Sequence, residues 1–486
     1  MKRQRHRFKM IALFLFALFL LLGLYGVWSV THYGSRWFSY AGNPRLAAQK
    51  ENVVEGDILD RHGTVLASTD DGRRIFSSSP QARAAMVHVL GDRNGMIANS
   101  VETFQAGYLY GYQSSLSDAV HLLMTPSDVR KGNTVTLTLD AGLNTVLPGF
   151  FQLHPLSAGK NGAAVVMNYL TGEVLAMTSL PCFDPDTVTD ADIASLDHPF
   201  WNRATQALYP PGSTFKIVTS AAAMKAIPDI QSQSFECTGT LPVSETFAVH
   251  DFNSVTHGTL SLRDAFRRSC NCVYASLALK LGDDALRSAA ESFGFNQNFL
   301  FRDLVVYNSS YPVSNRTFDA IAASGYGQSA LTATPVHMCL ISAAVANGGT
   351  MPEPRLIRSV KTASGSQVLS FSTASARRVC SDEIASELSS MMKDVVQGGG
   401  SGNLADIPSL DIRGKTGTAE SSLNGEKINY AWFTGFNAQP ELPVAVCILV
   451  ENIPDGETGG TVSAPVAKDV FMWLKNNISQ VLSSDP

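Results

Sequence analysis

Tyr209-Pro210-Pro211-Gly212-Ser213-Thr214-Phe215-Lys216 runs directly into Ile217-Val218-Thr219-Ser220-Ala221-Ala222-Ala223-Met224. The prolines and glycine stop the preceding chain and open a helix that is apolar nearly all round, so the helix is expected to be buried. Ser213 and Lys216 stand three apart and share a face of its first turn. There the positive end of the helix dipole favours developing negative charge, and a buried lysine gives up its proton more readily. The pattern offers a nucleophile with its base. Ser-x-x-Lys alone is weak, since the same spacing recurs at Ser157 and Lys160 and again at Ser390 and Lys393.

Two further motifs follow in order. Ser269-Cys270-Asn271 places a hydroxyl and a carboxamide one residue apart, a pair able to relay a lysine proton and hold a substrate amide. Its ordinary use would be a helix cap or a loop hydrogen bond. Lys415-Thr416-Gly417-Thr418, after Asp411-Ile412-Arg413-Gly414, precedes a strand pattern. A strand edge with an ammonium, two hydroxyls and one residue lacking a side chain suits a carboxylate-ended extended peptide, the glycine giving access. A phosphate-loop reading of Gly414-Lys415-Thr416 fails, because the required upstream glycine is replaced by Ser409.

Around these motifs the chain reads as α+β. Thr134-Val135-Thr136-Leu137-Thr138-Leu139 alternates strictly, as a half-buried strand does, and marks entry to a second domain. Residues 163–168 and 173–178 flank a turn at Thr171-Gly172 and form a hairpin. Its sheet partners are expected at the far end, at 431–436 and 444–451, covered by a last helix carrying Val466, Val470, Trp473 and Leu474. Helical stretches at 262–281 and 336–347 complete an antiparallel sheet beside a helical lobe.

Lys2, Arg3, Arg5, Arg7 and Lys9 precede an apolar run from Met10 to Val30, about the twenty residues that span a bilayer as a helix. The positive cluster predicts a cytoplasmic N-terminus and a translocated remainder. Tyr33-Gly34-Ser35-Arg36-Trp37 is a poor cleavage site, so a retained anchor is expected. The expected division is a tail at 1–9, an anchor at 10–30, a pedestal at 31–130 and the second domain at 131–486. The chain of 486 residues has a net charge of -5, which gives no basic field to attract nucleic acid.

Seven cysteines, an odd count, leave at least one unpaired in a monomer, and there is no Cys-x-x-Cys. Cys270 and Cys272 read as packing residues. His250 and His257 near Asp251 read as solvated loop residues, and no metal or organic cofactor is assigned.

Ser-x-x-Lys, Ser-x-Asn and Lys-Thr-Gly in this order resemble the penicillin-recognising serine enzymes. The resemblance runs from about Thr134 to the C-terminus. It includes Ala163-Ala164-Val165-Val166-Met167, Asn202-Arg203-Ala204-Thr205-Gln206, Gly325-Tyr326-Gly327-Gln328 before Thr334-Pro335, and Ala431-Trp432-Phe433-Thr434-Gly435. Gly56-Asp57-Ile58-Leu59-Asp60-Arg61-His62-Gly63 is similar to the pedestal signature of class B penicillin-binding proteins, departing from it at Glu55, where arginine is expected, and at His62, where asparagine is usual.

The resemblance implies a peptidoglycan D,D-transpeptidase inhibited by β-lactams. Ser213 would be the nucleophile and Lys216 its base, Ser269 and Lys415 the proton relay, and Asn271 the grip on the donor amide. Thr416, Gly417 and Thr418 would bind the donor, the threonines at its carboxylate. The backbone N–H groups of Ser213 and Thr418 would form the oxyanion hole. It also implies a separate membrane glycosyltransferase partner of the shape, elongation, division and sporulation family, because a pedestal of about a hundred residues is near the low end for one domain. A D,D-carboxypeptidase or β-lactamase keeps the same motifs; no glutamate between Asn271 and Lys415 has the Asn four residues on that a class A β-lactamase needs. A non-catalytic β-lactam sensor or scaffold is the third reading, disfavoured by the short stretch before the anchor.

Overall fold

The computed structural model describes residues 2–38, 53–93, 95–113, 130–189, 192, 194, 195, 197–313, 317–372, 376–423 and 426–482. Helix α1 spans Lys2–Phe38. Its 27-residue stretch Gln4–Val30 is the one helix among the described residues long and apolar enough to cross a membrane, and its apolar window is not buried by the rest of the protein.

The segment expected to form the pedestal contains three short strands, β1 (Ile58–Leu59), β2 (Val65–Asp70) and β3 (Arg73–Phe76), then α2 (Pro80–Leu90). Strand β4 (Thr134–Leu137) follows, with alternating burial. The alternation at 134–139 is therefore a strand, and it pairs in parallel with β1, Ile58 opposite Val135. Helix α3 (Ala141–Gln152) leads into the hairpin β5 (Gly162–Asn168) and β6 (Val174–Leu180).

The nucleophile segment is a 3-10 turn, Gly212–Phe215, continuing into α4 (Lys216–Ala226). Then come four strands of three or four residues: β7 (Ser234–Cys237), β8 (Thr240–Pro242), β9 (Ala248–His250) and β10 (Gly258–Ser261). The helical stretch expected over 262–281 is two helices, α5 (Leu262–Arg268) and α6 (Asn271–Ser292). The break has a local cause. Ser269 adopts a left-handed conformation, φ +59°, and Cys270 caps α6 by accepting from the Val273 N–H.

The remainder comprises α7 (Phe318–Gly325), α8 (Pro335–Ala346), β11 (Ile357–Lys361), β12 (Gln367–Ser370) and α9 (Asp382–Gln397). A long hairpin, β13 (Ile412–Leu423) and β14 (Glu426–Asn437), precedes β15 (Val444–Val450) and α10 (Gly459–Asn476).

The main sheet has five strands in the order β13-β14-β15-β5-β6, antiparallel throughout. This is the expected closure of the early hairpin by the far end of the chain. Both of its faces are covered, which explains why β5 and β15 are apolar without alternation. Ala164, Val166, Phe433 and Ile448 face α3 and α10, where Leu147, Val466, Val470 and Leu474 meet them. Val165, Met167, Cys447 and Leu449 face the helical lobe with Met338 and Ile341 of α8. Successive residues thus serve opposite cores, as the two-residue period of a strand requires.

A second sheet of six strands, β12-β11-β4-β1-β2-β3, unites β1, β2, β3 and β4 with the 357–370 excursion. The strands on the two sides of residue 130 share this sheet. Arg61 strengthens the join, donating to the Thr138 carbonyl at 3.2 Å and lying 3.7 Å from Glu173. At the two departures from the pedestal signature, Glu55 and Glu102 both face Arg74, at 3.6 and 2.7 Å, and His62 bonds Asp140 at 3.1 Å.

Candidate active site

The nucleophile turn is clamped from two sides. The Gly212 N–H donates to the Gly327 carbonyl at 2.9 Å, and the Trp432 indole donates to the Pro210 carbonyl at 3.1 Å. A Cβ on Gly327, whose φ is +81°, would lie 1.9 Å from the Gly212 oxygen. Only glycine fits that approach. On the other side, a Cβ on Gly417 would lie 2.9 Å from Thr214 Cγ2 and 3.0 Å from the Pro211 oxygen. The glycine expected to admit a substrate peptide is thus demanded by the protein's own packing of β13 against the turn.

Ser213 is half-buried and borders an open cleft of about 600 Å3, together with Ser269, Asn271, Thr416 and Thr418. Its hydroxyl is held by none of the described residues. Lys216, one turn on, is fully buried. Its ammonium donates to the Ser269 carbonyl at 2.6 Å, Asn271 Oδ1 at 2.8 Å and Ser269 Oγ at 3.2 Å, and stands 5.2 Å from the centre of the Tyr274 ring. An ammonium has three donors, and all three are engaged.

Lys415, also fully buried, donates to Ser269 Oγ at 2.9 Å and to the Thr416 carbonyl at 3.0 Å. Ser269 therefore stands between two lysines. The left-handed backbone at Ser269 permits this by turning both its carbonyl and its hydroxyl inward.

Burial sets the electrostatics. Desolvation lowers Lys216 to about 8, against opposing pulls from Cys270 and then Asp251. Desolvation, and then the charge on Lys216, hold Lys415 well below the usual lysine range. Both amines give up a proton more readily than an exposed lysine does, which suits proton transfer.

Thr416 Oγ1 shares a hydrogen bond of 2.6 Å with Ser401 Oγ, and Thr418 Oγ1 accepts from the Gly459 N–H at 3.2 Å. The structure thus gathers Ser213, Lys216, Ser269, Asn271, Lys415, Thr416, Gly417 and Thr418 into one place, from segments two hundred residues apart. The other Ser-x-x-Lys matches are elsewhere: Ser157 Oγ bonds the Phe151 carbonyl, and Ser390 Oγ accepts from Arg263.

Asp251 differs from the solvated residue expected of a polar loop. It is 3% exposed, and its Oδ1 accepts from the backbone N–H groups of Asn271 and Cys272. Burial raises its pKa, but hydrogen bonds from Cys237, Cys270 and the Asn271 backbone outweigh that and hold it below the usual aspartate value. Nothing in the spacing of the sequence singled it out, because its partners, Cys237, His257 and residues 270–272, come from three separate segments. Cys272 Sγ packs 3.7 Å from the Val249 carbonyl, whereas Cys270 faces Asp251.

A buried-lysine serine site at the edge of a five-stranded antiparallel sheet, flanked by a helical lobe, defines the penicillin-recognising class of serine enzymes. Residues 162–472 match the family described as the penicillin binding protein transpeptidase domain, and the chain belongs to that family. It is 32% identical over 335 residues to the peptidoglycan D,D-transpeptidase PbpA of Mycobacterium tuberculosis, covering 64% of this chain and 66% of that one. It is 29% identical over 399 residues to the peptidoglycan D,D-transpeptidase MrdA of Acinetobacter baumannii, covering 75% of this chain and 58% of that one. Each match thus spans less than two thirds of the relative. Among solved structures, the imipenem acyl-enzyme complex of penicillin-binding protein A from M. tuberculosis superposes with a TM-score of 0.76 at 28% identity, over 87% of this chain and 99% of that one.

Proposed function

We propose that this protein is a membrane-anchored, class B peptidoglycan D,D-transpeptidase whose nucleophile is Ser213. The observation that carries this reading is the placement of Ser269 Oγ between Lys216 Nζ and Lys415 Nζ, at 3.2 and 2.9 Å. That arrangement supplies a base for the attack and a path for returning the proton to the leaving group.

When Lys216 is neutral, one of its three positions becomes a lone pair, free to take the Ser213 proton. Ser213 Oγ then bonds to the carbonyl carbon between the two terminal D-alanines of a donor stem peptide. The backbone N–H groups of Ser213 and Thr418 hold the developing oxyanion. As the C–N bond breaks, the proton passes through Ser269 and Lys415 to the departing D-alanine amine. An amine of a neighbouring stem attacks the ester, returns a proton by the same relay, and leaves Ser213 free and a new amide cross-link. Asn271 orients the donor amide, and Thr416 and Thr418 bind its carboxylate. No metal or organic cofactor enters a bond-making step.

The apolar stretch within α1 is the anchor, with the basic N-terminus in the cytoplasm and the catalytic domain outside. Residues 31–130 act as the pedestal and 131–486 as the transpeptidase unit. Chemistry at Ser213 attaches peptides to one another, so glycan strands come from a separate membrane polymerase, for which the shape, elongation, division and sporulation glycosyltransferases are the proposed source.

Fluorescent penicillin tests this reading, with formation and decay of the label followed on wild type and on Ser213→Ala. A long-lived label that vanishes in the variant is expected. Rapid loss of label would replace the transpeptidase with a hydrolase, and no label on folded wild type would point to a scaffold.

A further inference from the structure

Glu451 stands immediately after β15, where three segments meet. Its backbone N–H donates to the Asn161 carbonyl at 2.8 Å, carrying the contact of β15 with β5 one residue further. Its Oε1 accepts from the Tyr209 hydroxyl at 2.5 Å and from Arg203 Nε at 2.9 Å. Arg203 is held in turn, with Nη2 donating to the Asp197 carbonyl at 2.6 Å and the backbone N–H to Ser179 Oγ at 2.9 Å. Arg203 and Tyr209 are buried, and the Glu451 side chain is 17% exposed. The mechanism above uses none of these three side chains.

Tyr209 lies four residues before Ser213, on the segment that delivers the nucleophile turn. That segment is paired on its backbone, since the Tyr209 N–H donates to the Ala333 carbonyl at 3.0 Å and its carbonyl accepts from the Ala333 N–H at 2.8 Å. The Tyr209 ring meets Tyr430 and Trp432 of β14 edge to face, with centroids 5.3 and 6.1 Å apart. Beyond Glu451 the chain turns into the cleft. The Ile453 N–H donates to the Asn429 carbonyl at 3.0 Å, Asn429 Nδ2 donates to Asp455 at 2.7 Å, and Asn429 and residues 455–458 line the cleft. One carboxylate therefore joins the lead-in to Ser213 with the start of a cleft wall.

We propose that Glu451 is a positioning residue for the nucleophile, acting through Tyr209, an inference that rests on the reading of Ser213 as the acylated serine. Packing alone would hold a phenylalanine ring at 209 as well as a tyrosine ring. What the hydroxyl adds is direction, because a charge-assisted bond to a carboxylate is short and strong. Arg203 makes that carboxylate tolerable in a largely buried place, since an unpaired charge there would be costly. Burial, and then the charge on Glu451, push the Tyr209 phenol well above its usual range, so it remains a donor. The oxyanion groups proposed on Ser213 and Thr418 belong to different segments, and their spacing depends on where the turn sits against β13. A displacement of about 1 Å in such a site can cost about a hundredfold in rate.

The test is a double-mutant cycle on the full chain in detergent, with penicillin acylation resolved into the initial binding constant and the acylation step. Tyr209→Phe should slow the acylation step by about ten- to a hundredfold, leaving the initial binding constant and the pH midpoint of acylation as in wild type. Glu451→Ala should do the same, and adding it to Tyr209→Phe should cost little more, because the two act through one bond. Glu451→Gln keeps an acceptor for the hydroxyl and should recover most of the rate lost in Glu451→Ala. Should Glu451→Ala misfold for want of a partner to Arg203, Tyr209→Phe and Glu451→Gln still decide the matter. A wild-type acylation step in Tyr209→Phe overturns the proposal, as do fully multiplicative losses in the double variant. A lowered thermal transition with the acylation step spared would make the contact structural only and overturn it too. Wild type that folds but takes no label at Ser213 overturns the nucleophile reading together with this one, whereas labelled wild type with an unimpaired Tyr209→Phe overturns this one alone.

Discussion

Lys415 on the edge strand donates to the hydroxyl of Ser269, 2.9 Å away in space and 146 positions away in the chain. That contact joins the sheet to the helical lobe inside the site. It also makes the hydroxyl a shared partner of two buried amines. In the proposed mechanism, proton traffic between Ser213 and a leaving group passes a residue with no acid–base strength of its own.

In the proposed mechanism Lys216 sets the pH dependence. Its amine is brought down to about 8 by burial, and only the neutral form accepts a proton. Acylation by a β-lactam should accordingly rise with pH up to about 8 and then level off. Lys216→Arg, which keeps its charge at every accessible pH, should stay unreactive throughout. Stopped-flow labelling between pH 5 and 9 measures both, and a flat wild-type profile would remove Lys216 as the base.

Ser269→Ala leaves Lys216 and Lys415 without their common partner. General acid–base groups contribute about 10²–10⁴-fold, so the acylation rate should drop within that range while the fold survives. A structural role alone would lower the thermal transition and spare the rate.

Gly327→Ala should damage stability and activity together. Its Cβ would meet the Gly212 oxygen at 1.9 Å in a left-handed backbone. The conformation costs about 1–3 kcal/mol before the clash is counted, and relief of the clash moves the turn that carries Ser213. A lowered Tm with slowed labelling is expected; normal labelling on a destabilised protein would separate the two effects.

The residues around Arg74 offer a test remote from the proposed chemistry. Glu55 and Glu102 share Arg74, all three largely buried. Restoring arginine at the departing position, Glu55→Arg, would set two guanidiniums against each other and break a buried pair, at a cost of about 3–5 kcal/mol. Denaturation should show the loss, and Ser213 labelling at low temperature should persist.

Much of this was legible in the chain. The Ser-x-x-Lys, Ser-x-Asn and Lys-Thr-Gly motifs drew attention to all eight residues that the fold brings together, because each motif is short-range and carries its own local geometry. The hairpin at 162–180 and the return of the far end as its partners were readable from apolar runs and a turn. The helix break at Ser269 was not, since a left-handed serine leaves no mark on periodicity. Nor was the membership of β4 in a sheet with strands from 357–370, where the partner is chosen by long-range packing.

By itself the sequence determined an apolar segment long enough to cross a bilayer, the order of the catalytic motifs and the α+β character, because these depend on composition and on contacts within a few residues. Only the tertiary structure decided that Gly417 serves packing, that Asp251 is buried, and that Cys237, His257 and Cys270 meet around it. Those properties rest on distances between segments far apart in the chain. Nothing local encodes such a distance; it is set by how two cores and one shared sheet close on each other.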